Sequence, residues 1–268
     1  MQLPIIIVNR LSKLLGAIVK GFSYLFHYIF PKFRFTIPSH RSPLYKSQSK
    51  STIPKIIWQT NFTEKASLPV YVNYLFNRLM GYDYEYRYVS TEARYEFMKE
   101  HAPKEVFDAF SQLTNGAAQA DLWRVFVLNY YGGVYMDIDA HAVWPLSKMI
   151  KSTDKEVFLL NKQHYTNYFI ASAKNNPILQ KTIDIIVENI QTENIGEGVY
   201  TLTGPMTLNR AIDNSQVVNH RFYKVTCIQG SFTNEHFQYL DKPRSKWTYV
   251  KNESLLKNKT NENNVKDV

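Results

Sequence analysis

Residues 117–140 read AAQADLWRVFVLNYYGGVYMDIDA, and the order of elements in this stretch decides the fold. Residues 117–131 are mostly apolar and predict a buried helix, which Gly132 and Gly133 end with a tight turn. The run 134–138, which is apolar except for Asp137, predicts a strand directly after that turn. A helix that leads through a glycine turn into a buried strand is typical of an α/β domain.

The chain on both sides of this stretch continues the alternation of helices and strands. Apolar runs and period-two patterns predict strands at 54–59, 82–89, 157–160 and 168–171. Amphipathic segments with capping residues predict helices at 68–80, at 91–101, from 103 onward and at 177–189. Together these elements predict the α/β class, with a mostly parallel central sheet.

Asp137 and Asp139 stand two residues apart at the end of the predicted strand, so their side chains point to the same side. Two adjacent carboxylates repel each other, and burying both is costly without a counter-charge. A hard cation such as Mg²⁺ or Mn²⁺ would resolve that repulsion, with phosphate oxygens completing its ligands. Most Asp-x-Asp pairs are solvated loop acids. The position of this pair, after a glycine turn and at the carboxyl end of a strand, favours a metal site.

Asp121 and Arg124 lie three residues apart on the preceding helix and therefore share one face. One interpretation is a local ion pair that contributes about 0.2–0.5 kcal/mol. The other is that both side chains face the same cleft as the Asp pair, where Asp121 binds hydroxyls and Arg124 holds negative charge.

The motif Asp121-x-x-Arg124, followed by Gly132-Gly133-Val134-Tyr135-x-Asp137-x-Asp139, resembles the DXD-containing sugar-binding region of glycosyltransferase family 32. That family includes yeast initiating α-mannosyltransferases, bacterial capsule and lipopolysaccharide transferases, and the catalytic domains of large clostridial glucosylating toxins. The segment 53–59, IPKIIWQ, resembles the first strand of the family, with Trp58 in place of a histidine. Thr203-Gly204-Pro205 and the segment around Asn167 resemble further family elements.

The resemblance implies a GT-A fold, which is a nucleotide-binding α/β sandwich, and it assigns roles to particular residues. Asp137 would contact the ribose or sugar of the donor, and Asp139 would bind the metal that bridges the diphosphate. Asp121 and Arg124 would hold the hydroxyls of the donor sugar. The remaining implied donor-binding residues are Ile57, Trp58 and Gln59 beside the nucleobase, with Trp58 stacking on it, Asn167 after the DXD strand, and Ser245 and Trp247 closing on the diphosphate.

The activity implied by the resemblance is a retaining, α-linkage-forming glycosyltransferase that uses Mn²⁺ or Mg²⁺. Its partners would be a UDP- or GDP-sugar and a glycan or lipid-linked acceptor, in capsule or lipopolysaccharide synthesis. A metal-dependent phosphotransferase or nucleotidyltransferase would need a phosphate-binding glycine loop or a third nearby acid, and the sequence shows neither. A non-catalytic carbohydrate-binding relative would be favoured by a degraded Asp pair, and this pair is intact.

The net charge of +9 is confined to one end of the chain. Nine of the 32 basic residues, but none of the 23 acidic residues, lie within the first 60 positions, so the remainder is neutral. A neutral globular region argues against a nucleic-acid-binding face. The single cysteine, Cys227, excludes an internal disulfide and a cysteine zinc cluster, and it favours a reducing compartment.

Residues 3–30 predict an amphipathic helix, with Arg10, Lys13, Lys20 and His27 on one side and large apolar residues on the other. The charges interrupt the run of roughly 20 apolar residues that a spanning helix needs. The pattern therefore favours a helix lying on an anionic membrane surface. A secretory signal peptide and an ordinary helix that covers the core are the alternatives.

These patterns divide the chain into three parts. Residues 1–52 are predicted to form a membrane-associating helix and a basic linker, 53–250 the GT-A domain, and 251–268 a flexible tail. For a bacterial protein, this organisation predicts peripheral attachment to the cytoplasmic face of the inner membrane.

Overall fold

The computed structural model describes residues 2–212, 218–249 and 251–257. The helices are α1 Gln2–Ile29, α2 Leu68–Met80, α3 Thr91–His101, α4 Lys104–Gln112, α5 Gly116–Tyr131, α6 Leu146–Met149, α7 Pro177–Gln191, α8 Val199–Leu202, α9 Pro205–Ala211 and α10 Glu235–Gln238. The strands are β1 Phe35–Thr36, β2 His40–Arg41, β3 Ile56–Thr60, β4 Lys65–Ala66, β5 Glu85–Val89, β6 Gly133–Met136, β7 Ala140–Ala142, β8 Glu156–Asn161, β9 His164–Ser172, β10 His220–Phe222 and β11 Cys227–Gln229.

The central sheet has seven strands in the order β10-β8-β9-β6-β3-β5-β2. β3 pairs in parallel with both β5 and β6, and at one edge of the sheet β10 is parallel to β8. The pairs β8–β9, β9–β6 and β5–β2 are antiparallel. Only two residues, 162 and 163, join β8 to β9, and a connection this short permits only antiparallel pairing. The predicted α/β class is confirmed, and antiparallel strands flank its parallel centre.

Apolar residues fill both faces of this sheet, because successive side chains of each strand point to opposite sides. Trp58, Tyr135 and Ile170 pack against α5 and α7 in one core. Their neighbours Ile57 and Val134 pack with residues of α2 in the second core. Helices on both faces make the layered sandwich that the sequence predicts.

The stretch 117–140 folds as predicted into α5, a glycine turn and β6. The Asn115 side chain caps α5 by accepting hydrogen bonds from the backbone of Ala117 and Ala118. Gly132 and Gly133 follow with φ angles of +74° and +117°, which L-residues with a side chain rarely adopt. The turn therefore requires glycine at both positions. It leads the chain from α5 into β6, which pairs with β3 and is followed by the acidic residues.

Replacing Gly133 by alanine should lower the free energy of unfolding by about 1–3 kcal/mol. A Cβ at this position would lie 2.7 Å from the Ile56 carbonyl oxygen and 2.9 Å from Trp58 Nε1, and the φ angle would remain strained. Gly116→Ala is the matched control, because an added Cβ there meets nothing within 4 Å. Urea unfolding followed by circular dichroism compares the two variants, and equal stabilities would contradict the role assigned to the turn.

The segment 31–52, which its composition marks as a linker, pairs with the domain at two places. β1 pairs with β4, and β2 forms the edge of the central sheet beside β5. Ile37 between them is buried. The boundary at residue 52 stays a prediction, but the chain before it already makes sheet contacts with the domain. Within the described residues, α1 included, no helix is long and apolar enough to cross a membrane.

The chain after the predicted domain packs against the loop between α4 and α5. Leu255 is buried, Leu256 forms a β-bridge with Leu113, and the Lys257 amide donates a hydrogen bond to the Gln112 carbonyl. Part of the predicted tail therefore contacts the domain, and the flexibility of the tail stays a prediction. Residues 258–268 of the predicted tail lie outside the described residues, and so does position 250, where the domain is predicted to end.

Candidate active site

The turn after β6 carries both acidic residues of the DXD motif, and its backbone is fixed from several sides. Gln59 Nε2 donates to the Asp137 carbonyl at 3.0 Å, and the Asp137 amide donates to the Tyr168 carbonyl at 2.9 Å. The Asn73 side chain donates to the carbonyls of Ile138 and Ala140, at 2.8 and 2.9 Å. These bonds hold the two carboxylates at the carboxyl end of a central parallel strand, where ligands bind in α/β sheets.

Arg124 of α5 contacts both Asp121 on the same helix and Asp137 in the DXD turn. Its Nη2 atom lies 3.1 Å from Asp121 Oδ1 and 3.3 Å from Asp137 Oδ1, and Nη1 donates to the Asn167 carbonyl at 2.9 Å. The guanidinium carbon lies 4.5 Å from the centre of the Tyr135 ring, whose hydroxyl donates to Asp137 at 2.7 Å. Asp121 and Arg124 therefore form an ion pair and also lie beside the Asp pair, and their roles toward a donor stay a prediction.

Asp121 is buried and accepts hydrogen bonds at both carboxylate oxygens. Asn167 Nδ2 donates to Oδ1 at 3.0 Å, and the Thr203 hydroxyl donates to Oδ2 at 3.1 Å. Burial raises the pKa of Asp121 to about 6, against the opposing effect of Arg124. Burial acts against the charged form of Arg124, but Asp137, Tyr135 and Asp121 raise its pKa above the ordinary value. Arg124 is thus a fixed positive charge in the wall of the site.

Gln229 bridges the two carboxylates of the DXD turn. Its Nε2 atom donates to Asp137 Oδ2 at 3.0 Å and to Asp139 Oδ1 at 3.2 Å. The position follows from β11, which pairs with β7 so that Gln229 lies opposite Ala140. Burial, followed by the charge of Asp137, raises the pKa of Asp139 to about 7. Among the described residues, Arg124 contacts Asp137 directly, and Gln229 is the side chain that donates to both carboxylates.

Ile57, Trp58 and Gln59, which the resemblance places beside the nucleobase, all lie in β3. Ile57 is fully buried in the core. Trp58 is also buried, and its Nε1 donates to the Gly132 carbonyl at 3.0 Å. The Trp58 ring stacks with Tyr131 at 5.9 Å and lies 5.1 Å from the Arg87 guanidinium. Trp58 therefore supports the glycine turn and has no free face for a base, whereas Gln59 supports the DXD backbone.

The other predicted donor-binding residues fall into two groups. Asn167 is part of the Asp121–Arg124 cluster through its side chain and its carbonyl. Ser245 and Trp247 lie on a separate segment, which Lys246 links to Glu235 by a 2.9 Å ion pair. In the part of the chain that the structure describes, no hydrogen bond or ion pair joins Ser245 or Trp247 to the Asp pair.

Gln229 and Thr203 contact the acidic residues of the site, and the sequence motifs assign neither of them to it. Thr203 belongs to the Thr-Gly-Pro segment quoted for the resemblance, and that segment was the available signal. Gln229 stands in a short strand beside Cys227 with no recognisable motif around it. It lies 92 residues beyond Asp137 in the chain, so only the β7–β11 pairing brings the two together.

Among the described residues, no three side chains of His, Cys, Asp or Glu come together as a metal site. The donor set at the DXD turn is instead two carboxylates and one amide, from Asp137, Asp139 and Gln229. Oxygen atoms of this kind fit Mg²⁺ or Mn²⁺ and do not fit soft metals. A cation held here would keep positions for oxygens of a ligand.

Comparison with known proteins agrees with the motif at the centre of this site. Residues 69–158 match the family described as "Glycosyltransferase sugar-binding region containing DXD motif". The matched range includes Asp121, Arg124, Asp137 and Asp139. The predicted resemblance is confirmed for this part of the chain.

Two curated proteins and one solved structure are similar to the chain over part of their lengths. Mannosyl phosphorylinositol ceramide synthase SUR1 of Saccharomyces cerevisiae is 37% identical over 89 residues, which are 32% of this chain and 22% of that protein. A protein named Toxin, from Photorhabdus asymbiotica, is 33% identical over 127 residues, which are 41% of this chain and 4% of the toxin. The structure of PaToxG Glycosyltransferase aligns with 79% of each chain, at 19% identity and a TM-score of 0.47.

Proposed function

We propose that the protein is a glycosyltransferase that moves a sugar from a nucleotide-sugar donor, UDP- or GDP-linked, to a glycan or lipid-linked acceptor. The observation that carries the proposal is the cluster of Asp121, Arg124, Asp137 and Asp139 at the carboxyl end of β6. This cluster lies inside the region that matches the DXD family, and the sequence motif and the three-dimensional site therefore coincide.

A divalent cation, Mn²⁺ or Mg²⁺, is part of the proposal because the chemistry of the site fits one. When bound, the cation would supply positive charge to the Asp pair and to the diphosphate of the donor. Asp139 and Asp137 would hold it, and the Gln229 amide is placed to turn its oxygen toward it. Burial and the charge of Asp137 raise the pKa of Asp139, and a nearby cation would stabilise its ionised form.

Side chains of the protein would orient the donor and stabilise the charge that develops when its sugar–phosphate bond breaks. Arg124 is charged, buried and fixed by three acceptors, so it needs no rearrangement to act on negative charge. Asp121 retains acceptor capacity for sugar hydroxyls beside its bonds to Asn167 and Thr203. Retention of anomeric configuration follows from the family resemblance and is part of the proposal.

The class of acceptor is proposed from the relatives. The name of the yeast relative specifies a mannosylated phosphorylinositol ceramide, which is a lipid. This favours a lipid-linked acceptor over a free glycan. A lipid-linked acceptor is also compatible with a role in capsule or lipopolysaccharide synthesis.

A donor panel tests the proposed function. The full chain is incubated with Mn²⁺ or Mg²⁺ and with UDP-, GDP- and CDP-sugars, and the released nucleotide and sugar are measured. We expect metal-dependent release from one UDP- or GDP-sugar, with α-configured transfer product once an acceptor is supplied. Release of pyrophosphate from nucleoside triphosphates, with no turnover of any nucleotide sugar, would indicate a nucleotidyltransferase and contradict the proposal.

Gln229→Leu should weaken Mn²⁺ binding about 10–100-fold, the range typical for groups that orient metal ligands. Leucine has a similar volume but neither donates to the carboxylates nor offers an oxygen. Gln180→Leu is the control, because Gln180 is an exposed glutamine of α7 that bonds Asn129 and Asp184. Mn²⁺ titration followed by electron paramagnetic resonance measures the affinity, and equal affinities in both variants would contradict the role of Gln229.

A further inference from the structure

Helix α1 contacts the domain mainly with its small and polar residues, whereas most of its large apolar residues face away from the domain. The residues buried on this inner face are Ile5, Asn9, Ser12, Gly16, Ser23 and His27. At 100° per residue they share one side of the helix. An amphipathic helix that covers a core would bury the opposite, apolar side.

Directional contacts fix this orientation along the length of the helix. The Asn9 side chain donates to the Lys224 carbonyl, and Ser12 Oγ lies 3.2 Å from His141 Nε2. His27 Nε2 accepts a hydrogen bond from the Leu68 amide at 3.0 Å, which satisfies a free donor at the start of α2. Gly16 lies so close to Ser231 that a Cβ there would stand 2.2 Å from the Ser231 carbonyl oxygen. Rotation of α1 about its axis would break these contacts together.

The opposite side of α1 is an apolar stripe that faces away from the domain. It consists of Ile7, Leu11, Leu14, Ile18, Phe22 and Leu25, which are each between 50% and 61% exposed. Because α1 has 28 residues, it is about 42 Å long, and the stripe follows most of that length. A contiguous apolar surface of this kind on a folded protein marks an interaction site.

Charge identifies the partner that fits the stripe. Arg10 and Lys13 are exposed beside it, and residues 2–29 contain no Asp or Glu. Tyr28, Phe30 and Phe33 are exposed at the carboxyl end of α1, where aromatic rings suit the boundary between lipid and water. A second copy of the same helix would bring cations together without carboxylates to pair with them. An anionic lipid surface offers both acyl chains for the stripe and negative headgroups for its flank.

We propose that the apolar stripe of α1 lies in the surface of an anionic membrane, with the domain held on the opposite, polar side of the helix.

The same helix is linked to the candidate site through the segment after β11. Lys20 Nζ donates to the Gly230 carbonyl at 3.0 Å, and the Gly230 amide donates to the Asp139 carbonyl at 3.0 Å. Two hydrogen bonds therefore connect the membrane-binding helix with the DXD turn.

Vesicle co-sedimentation of the full chain tests the proposal. The triple variant Leu11→Gln, Leu14→Gln, Ile18→Gln removes apolar surface at exposed positions without changing the charge. The matched control places Met at the same three positions and keeps them apolar. On vesicles of phosphatidylcholine with 30% phosphatidylglycerol, we expect the Gln variant to lose at least tenfold in partitioning and the Met variant to stay within twofold of wild type.

A second pair of variants tests the charged flank. Arg10→Gln with Lys13→Gln should weaken binding to the anionic vesicles about tenfold or more, because each basic residue near the surface adds attraction. The control is Lys174→Gln with Lys181→Gln. Lys174 is exposed before α7 and Lys181 is exposed within it, so this variant loses the same charge away from α1 and should bind the vesicles as wild type does. High salt should weaken wild-type binding, and vesicles of pure phosphatidylcholine should bind less.

Three results would overturn the proposal. The first is wild-type protein that does not sediment with anionic vesicles, and the second is a Gln variant that binds as wild type does. The third is a wild-type protein that is a dimer in sedimentation velocity and does not bind vesicles, together with a Gln variant that is a monomer. That result would show that the stripe binds a second copy of the chain. Donor hydrolysis in solution is measured in parallel and should be unchanged in all four variants, so failure here is separate from failure of the proposed activity.

Discussion

Asp139→Asn should reduce donor turnover by about 10²–10³-fold or more without lowering the melting temperature. The substitution keeps the shape of the side chain and can still accept the hydrogen bond from Gln229, but it removes the charge that a hard cation requires. The rate estimate is the loss seen when one group that stabilises transition-state charge is removed.

Stability should respond in the opposite direction from activity. Burial and the neighbouring Asp137 raise the pKa of Asp139, so the ionised side chain is unfavourable in the metal-free protein. A neutral amide should therefore leave the melting temperature in metal-free buffer at pH 8 unchanged or higher. Turnover and thermal unfolding are measured on the same preparation. Full activity in the Asn variant, still dependent on metal, would place the cation elsewhere.

Arg124→Ala should lower the free energy of unfolding by about 3–5 kcal/mol, the cost of removing one partner of a buried ion pair. The change leaves Asp121 and Asp137 without their shared cation and the Asn167 carbonyl without its donor. Donor turnover by the folded fraction should fall as well, because the fixed positive charge of the site is lost.

The double variant Arg124→Ala with Asp121→Asn should recover part of that stability, since it also removes the buried charge that Arg124 compensates. Lys181→Ala on the exposed face of α7 is the control and should change stability by less than about 0.5 kcal/mol. Denaturant unfolding at pH 7 measures all three. If Arg124→Ala lowers the free energy of unfolding by less than about 1 kcal/mol, the contacts of Arg124 contribute no more than a surface ion pair does.

Local patterns predicted the centre of the fold correctly because local interactions determine it. The length of α5, its termination at Gly132 and the apolar strand that follows depend on neighbouring residues alone. The spacing of Asp121 and Arg124 similarly fixes a shared helix face, which the structure aims at Asp137. The shared face of Asp121 and Arg124 is therefore predictable from their spacing, whereas their roles toward a donor rest on the resemblance.

Trp58 shows where a motif position misleads. Its place in the first strand of the family implies that its ring stacks on the nucleobase. Period-two alternation, however, puts Trp58 on the face of β3 opposite to Ile57, and that face is covered by α5. Its indole therefore packs in the core and donates to the Gly132 carbonyl. The neighbouring pattern decides the burial of a strand residue, and the motif alone does not.

Gln229 and the orientation of α1 depend on contacts that no local pattern contains. The amide of Gln229 reaches the Asp pair only through the pairing of β7 with β11. The two sides of α1 are visible in the sequence, but periodicity does not tell which side docks. Polar contacts from Asn9, Ser12 and His27 decide it in favour of the polar side.

The proposed function requires that the DXD turn bind a nucleotide through a divalent cation. Isothermal titration of the full chain with UDP and with GDP, in the presence and absence of Mn²⁺, tests this most directly, with Asp139→Asn as the matched variant. We expect one nucleotide to bind the wild-type protein only when Mn²⁺ is present, and we expect the Asn variant to lose this binding without a lower melting temperature. Nucleotide binding of equal strength without metal, or in the Asn variant, would contradict it.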